Sequence, residues 1–237
     1  MKESLSIFFV LFIFFALSSC DQLKEPYKTP TLYSYLVLPQ STDDSISTST
    51  VHHYAFVNTR VSQAGKLFVF LGSTGSSPQN YSSLNKAATN LGYYVINLSY
   101  LNTVDGQACA SESDTNCFAD YHEEMLFGNN KSSLVVVNKY NAIHNRILKL
   151  LQRLHKLNPS NGWDKFYSDS ELIYSRIVLS GHAQGGGHAA YLAQKFEADR
   201  LVLFSAPNDY SDLLAQPAHW CQKDFATSAD RFYGLTH

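Results

Sequence analysis

The segment IVLSGHAQGGGH, residues 177–188, is the strongest single indication of the fold of this chain. An apolar strand, a glycine-bearing turn and the start of a helix follow one another in it, as in a nucleophile elbow of the form Gly-x-Ser-x-Gly. Glycine suits positions Gly181 and Gly185, because a side chain at either one would clash across the tight turn. Ala183 stands where such an elbow carries its nucleophilic serine, and a methyl group cannot attack a carbonyl carbon. The sequence therefore predicts the architecture of the elbow without its reacting oxygen.

Two other interpretations of this turn are weaker. A loop that binds a dinucleotide or a phosphate needs Gly-x-Gly-x-x-Gly or a Lys-Ser/Thr pair, and residues 181–187 supply neither. A glycine-rich connection with no chemistry stays open from the residues alone. We predict no cofactor and no metal site.

The patterns on both sides of the turn predict a doubly wound α/β fold with a mostly parallel sheet. Apolar runs predict strands at residues 31–38, 53–58, 66–71, 93–98, 176–179 and 201–204, and the start of another at 231–237. Helical periodicity predicts helices near residues 79–90, 143–157 and 184–196. The first two strands predict an antiparallel hairpin, and the strand–helix–strand order that follows predicts parallel pairing.

Two more segments reach the carboxyl edge of the predicted sheet, where such folds bind ligands. Backbone N–H groups of Gln184 and of Ser73 or Thr74 are the predicted donors of an oxyanion hole. The alternative for the loop that carries Ser73 and Thr74 is a surface turn with no aligned donor. Asp209 lies where an acid could orient a histidine, although it could equally cap the next helix.

The chain resembles the α/β-hydrolase superfamily, and within it a bacterial branch with the signatures FLPGTGG and GHSQGGGHAA. The corresponding stretches here read FLGSTGS at residues 70–76 and GHAQGGGHAA at residues 181–190. The resemblance covers about residues 67–237, including the segment with two cysteines and the stretch 228–234. It implies a serine esterase or related hydrolase with a triad in the order serine, acid, histidine.

The departures from that family remove the implied chemistry. Ala183 replaces the serine, and Gly72-Ser73 replaces the proline-glycine of the oxyanion loop. The family's histidine follows the last strand, but this sequence stops at His237, so we expect the last strand and helix to be missing.

His182 and His188 flank the elbow, and we expect structural roles for both. The sequence therefore predicts a catalytically inactive, C-terminally incomplete hydrolase-like protein with a pocket for a small ester or acyl ligand. Two alternatives stay open. One is an active serine esterase whose nucleophile was substituted and whose C-terminus is missing from this chain, and the other is a non-enzymatic surface binding protein.

The N-terminus predicts export to a bacterial cell envelope. An apolar run at residues 5–17 leads into Leu-Ser-Ser-Cys, which resembles a lipoprotein signal. Residues 1–19 are the predicted signal peptide, Cys20 the lipidated membrane anchor, 20–30 a tether and 31–237 the hydrolase-like domain. An ordinary signal peptide or an uncleaved anchor are the alternatives.

The remaining cysteines and the composition agree with an exported globular domain. Cys109 and Cys117 lie in a polar segment, and export favours a disulfide between them over a metal pair. Cys221 is then a partly buried free thiol. With 237 residues, 45% of them hydrophobic, the chain can form one substantial core. A net charge of -2 gives no reason to expect nucleic acid as a partner.

Overall fold

Seven strands form one mixed sheet in the computed structural model, which describes residues 29–49 and 51–236. In chain order the strands are β1 (Leu32–Val37), β2 (His53–Asn58), β3 (Leu67–Leu71), β4 (Tyr94–Leu98), β5 (Ile177–His182), β6 (Arg200–Phe204) and β7 (Phe232–Leu235). The predicted signal peptide, Cys20 and most of the tether lie outside the described residues.

The strands lie in the order β1-β2-β4-β3-β5-β6-β7. β1 pairs antiparallel with β2, β2 pairs antiparallel with β4, and every later pair is parallel. This is an α/β-hydrolase fold, and it confirms the predicted parallel sheet with an antiparallel start. Because β4 and β5 lie on opposite sides of β3, the carboxyl ends of β3 and β5 border the switch-point crevice where such sheets bind ligands.

Within the described part of the chain, four α-helices cover the two faces of the sheet. They are α1 (Ser82–Asn90), α2 (Cys117–Phe127), α3 (Ile143–Leu157) and α4 (Gln184–Lys195). All five residues of β3 are buried, as a strand covered on both faces requires. Phe68 and Phe70 face the side of α1, whereas Val69 packs in the larger core with α2, α3 and α4.

Helix α2 is the main element that the sequence does not predict. A disulfide joins its first residue, Cys117, to Cys109 in the 3₁₀ helix Gly106–Ser111, with a Cα–Cα distance of 5.5 Å. The predicted disulfide is therefore confirmed. Cys221 is a partly buried free thiol, and burial together with the nearby Asp209 raises its pKa to about 12.

Short elements connect the layers. Two-residue strands pair as Tyr167–Ser168 with Glu171–Leu172 and as Tyr210–Ser211 with Gln216–Pro217. The other 3₁₀ helices are Pro39–Ser41, Pro78–Tyr81, Pro159–Asn161, Trp163–Phe166, Tyr174–Arg176, His219–Gln222 and Ala229–Arg231. Among the described residues, no helix has the length and apolar character to cross a membrane.

Candidate functional site

The turn between β5 and α4 has the strained backbone of a nucleophile elbow. Ala183 has φ 47° and ψ -117°, a conformation that costs a residue with a side chain ~1–3 kcal/mol. Its N–H donates to the carbonyl of Phe204 at 3.0 Å, and its own carbonyl accepts from Gly187 at 3.1 Å. The structure thus presents the Ala183 methyl where an elbow presents its nucleophile.

Close packing of backbone explains the glycines of the turn. A Cβ on Gly181 would lie 2.3 Å from the carbonyl carbon of Gly185, and one on Gly185 would lie 2.2 Å from the Leu71 oxygen. A Cβ on Gly187 would approach the His122 ring to 3.0 Å. The elbow therefore fits tightly against β3 on one side and α2 on the other.

Ala183 lines a small cleft of about 110 Å³ at the switch point. Thr74 and Gln184 line the same cleft, and the Thr74 hydroxyl donates to the Gln184 side-chain oxygen at 2.5 Å. Gln184 opens α4, where backbone N–H groups have no partner within the helix. Of the three predicted oxyanion donors, the structure brings these two beside Ala183.

Ser73, the third predicted oxyanion donor, turns away from the cleft. Its N–H donates to the Tyr81 hydroxyl oxygen at 3.0 Å, and its hydroxyl lies 2.9 Å from the same oxygen. Tyr81 also contacts His182 Nδ1 at 3.2 Å. Ser73 and His182 therefore belong to one hydrogen-bonded group around Tyr81.

Asp209 makes contacts that fit neither a helix cap nor a simple surface acid. Its Oδ2 accepts from the indole N–H of Trp220 at 2.8 Å and from His122 Nε2 at 2.7 Å. The N-cap alternative is wrong, because the short strand Tyr210–Ser211 follows Asp209 instead of a helix. Asp209 thus does contact a histidine.

That histidine uses its second nitrogen as well. His122 Nδ1 lies 2.8 Å from Nδ1 of His188, which is fully buried in α4. Burial, and then the neighbouring His122, lowers the pKa of His188 well below its ordinary value, so His188 is neutral. We call His122, His188, Asp209 and Trp220 the polar cluster. Within it, neither nitrogen of His122 is left to accept a proton from a group at Ala183.

No motif or periodicity in the sequence points to His122 or Trp220. Both are distant in sequence from the elbow, and His122 reaches it only because α2 packs on α4. His122 is therefore a third histidine beside the elbow, in addition to His182 and His188. Within residues 29–49 and 51–236, no group of three His, Cys, Asp or Glu side chains could hold a metal ion.

The chain is similar to known proteins in structure, whereas no match was found to a family model or a curated protein. An inhibited esterase B from Lactobacillus rhamnosis is similar over 73% of this chain and 48% of its own, with 9% identity and a TM-score of 0.39. A bacterial heroin esterase is similar over 84% of this chain and 56% of its own, with 11% identity and a TM-score of 0.41. The chain spans about half the length of these structures, and at these identities the likeness concerns the fold alone.

Proposed function

We propose that this chain is a hydrolase-like protein without hydrolase activity, held at a membrane by a lipid on Cys20. The observation that carries the proposal is the alanine at the strained apex of the elbow, with φ 47° and ψ -117°. The backbone that would present a nucleophile is in place, but the side chain there has no oxygen.

Loss of the nucleophile alone is a large effect. In a serine protease, removing the nucleophilic serine of the triad costs ~10⁶ in turnover, and only the effects of binding and the oxyanion hole survive. Thr74 and Gln184 line the cleft with Ala183, so they are placed to supply part of that remaining binding and oxyanion stabilisation. We therefore infer that this site still binds a ligand although it does not catalyse ester hydrolysis.

Loss of a general base reinforces the proposal. His122 lines the cleft with Ala183, but Asp209 and His188 engage its two nitrogens. His182, the residue before Ala183, directs its Nδ1 to Tyr81. A base must lie within hydrogen-bond reach of the proton that it removes, and these three imidazole nitrogens are already engaged by groups of the protein.

The size of the cleft limits what it could bind. Its volume of about 110 Å³ is well below the ~300–1,000 Å³ of common ligand pockets. Of the ester and acyl ligands that the elbow suggests, we infer that only a small group such as an acetyl would fit beside Ala183.

Ester turnover tests the proposal directly. The full chain should hydrolyse p-nitrophenyl acetate no faster than an equal concentration of the Ala183→Gly variant, which also lacks a nucleophile. A rate at least tenfold above that control, abolished by a serine-directed phosphonate, would show that the protein is an active serine hydrolase.

Lipidation of Cys20 is the second part of the proposal. A lipobox cysteine carries acyl chains that each stabilise membrane binding by ~0.8 kcal/mol per buried methylene. In bacterial cells fed an alkyne fatty acid, the wild-type chain should become labelled and the Cys20→Ser variant should not. Equal labelling of the two chains, or no label on either, would show that Cys20 is not lipidated.

A further inference from the structure

A second pocket lies at the carboxyl edge of the sheet, beyond β3 and β4 and apart from the cleft at Ala183. Its volume is about 400 Å³, within the ~300–1,000 Å³ of common ligand sites. The loop 72–78 forms one wall, the segment 97–103 another, and Ser49 and Val51 a third. Thr74, at the tip of the loop, lines the elbow cleft instead, so the loop separates the two cavities.

The side chains of this pocket offer no charge to a ligand. None of the described residues that line it is Asp, Glu, Lys, Arg or His. Of the described lining residues, Tyr100 alone is ionisable; its hydroxyl donates to the Gly72 carbonyl, and burial raises its pKa well above the ordinary value. A charged group buried here would lose its hydration without gaining a direct ion pair.

The pocket instead combines hydroxyl and amide groups with apolar surface. The Ser49 and Ser99 hydroxyls lie 2.6 Å apart, and this one hydrogen bond uses only one of their two hydrogens. Asn97 is fully buried, and its side-chain oxygen has no hydrogen-bond partner among the described residues. An unpaired buried acceptor destabilises the folded protein, and a hydroxyl donor of a ligand would relieve that cost. Val51 and Leu101 supply apolar surface beside these groups.

Hydrogen bonds hold the walls of the pocket in place. The Asn102 amide donates to the carbonyls of Ser73 and Ser76, at 2.8 Å each, and the Gly75 N–H donates back to the Asn102 carbonyl. On the far side, the buried Arg146 donates to the carbonyls of Thr48 and Ser99. A pocket whose walls are already ordered avoids much of the entropic cost of binding.

We propose that this pocket binds a neutral, hydroxyl-rich ligand of about the size of a monosaccharide. A sugar ring presents hydroxyl groups at its edge and C–H groups on its faces, which matches the mixture of Ser49, Ser99 and Asn97 with Val51 and Leu101. Arg146 does not turn the site into an anion site, because the side chain is fully buried and directs its donors to oxygen atoms of the protein. This inference does not depend on whether the elbow is active.

The test is a titration of the full chain by saturation-transfer NMR with D-glucose, D-galactose and N-acetyl-D-glucosamine. A polyoxyethylene detergent keeps the sample free of glycoside headgroups. At least one neutral sugar should bind saturably, and its charged counterparts glucuronate and glucosamine should bind at least tenfold more weakly. Absence of saturable binding by all three neutral sugars, or tighter binding of glucuronate, would overturn the proposal.

Two substitutions at the mouth of the pocket locate the site. Thr103 and Val51 are exposed there, so Thr103→Trp and Val51→Trp should fill the opening, leave the fold intact and weaken sugar binding at least tenfold. Thr115→Trp changes an exposed threonine outside this pocket and should leave binding unchanged. Wild-type affinity in both blocking variants, or an equal loss in the control, would show that sugar binds elsewhere.

Discussion

The elbow at residues 181–187 and the polar cluster behind it present different features to the cleft. The elbow has the strained backbone, with φ 47° at Ala183, but its apex carries a methyl group. The polar cluster keeps an acid and two histidines, but these groups hydrogen-bond to one another. The strained backbone and the titratable side chains are thus neighbours, but each is held by its own set of contacts.

The largest expected effect comes from adding one carbon to the elbow. In the Gly185→Ala variant, the new Cβ would lie 2.2 Å from the Leu71 oxygen and 2.4 Å from the Gly72 oxygen, and these backbone atoms cannot shift easily. We expect the free energy of unfolding to fall by at least ~3 kcal/mol. Gly234→Ala, whose Cβ would meet nothing within 4 Å, is the matched control and should change it by less than ~0.5 kcal/mol. Urea denaturation measures both, and equal stabilities would show that the turn is not packed as described.

Acid should lower the contribution of the polar cluster to the free energy of unfolding. His188 is neutral when folded because its pKa lies well below the 6.5 of an unfolded histidine. Only the unfolded chain takes up this proton as the pH falls below 6.5, so the stability that His188 contributes is lost in that direction, by up to ~1.4 kcal/mol per pH unit. His188→Asn keeps a polar partner for His122 but cannot titrate. Its unfolding free energy should therefore fall less steeply than that of the wild type between pH 6.5 and 5, whereas parallel curves would contradict a neutral His188.

A smaller difference in stability is expected between Trp→Phe substitutions at two buried tryptophans. Trp220 donates its indole N–H to Asp209, whereas Trp163, equally buried, donates to no carboxylate among the described residues. Trp220→Phe should therefore cost ~1–2 kcal/mol more than Trp163→Phe in thermal or urea unfolding, because it leaves a carboxylate oxygen short of a donor. Equal costs would mean that the hydrogen bond to Asp209 contributes nothing beyond packing.

The sequence predicted the fold and the elbow because both depend on local patterns. The buried run of β3 and the spacing of Gly181 and Gly185 are visible in a few adjacent residues. The disulfide between Cys109 and Cys117 was equally accessible, since the two cysteines lie in one short segment.

The contacts within the site could not be predicted in the same way, because they join distant segments. His122 meets His188 across 66 positions and Asp209 across 87. Tyr81 meets His182 across 101 positions. None of these three contacts leaves a periodic or compositional mark in the sequence.

The Ala183→Ser variant is the most direct test of the proposal that the elbow has neither a nucleophile nor a base, because it adds the nucleophilic oxygen and changes nothing else. We expect the full chain with A183S to hydrolyse p-nitrophenyl acetate at the wild-type background rate and to remain unlabelled by a fluorophosphonate, since His122 has no nitrogen to activate the hydroxyl. Ester hydrolysis at least a hundredfold above background, with phosphonate attached to the introduced serine, would show that a working base lies beside the elbow.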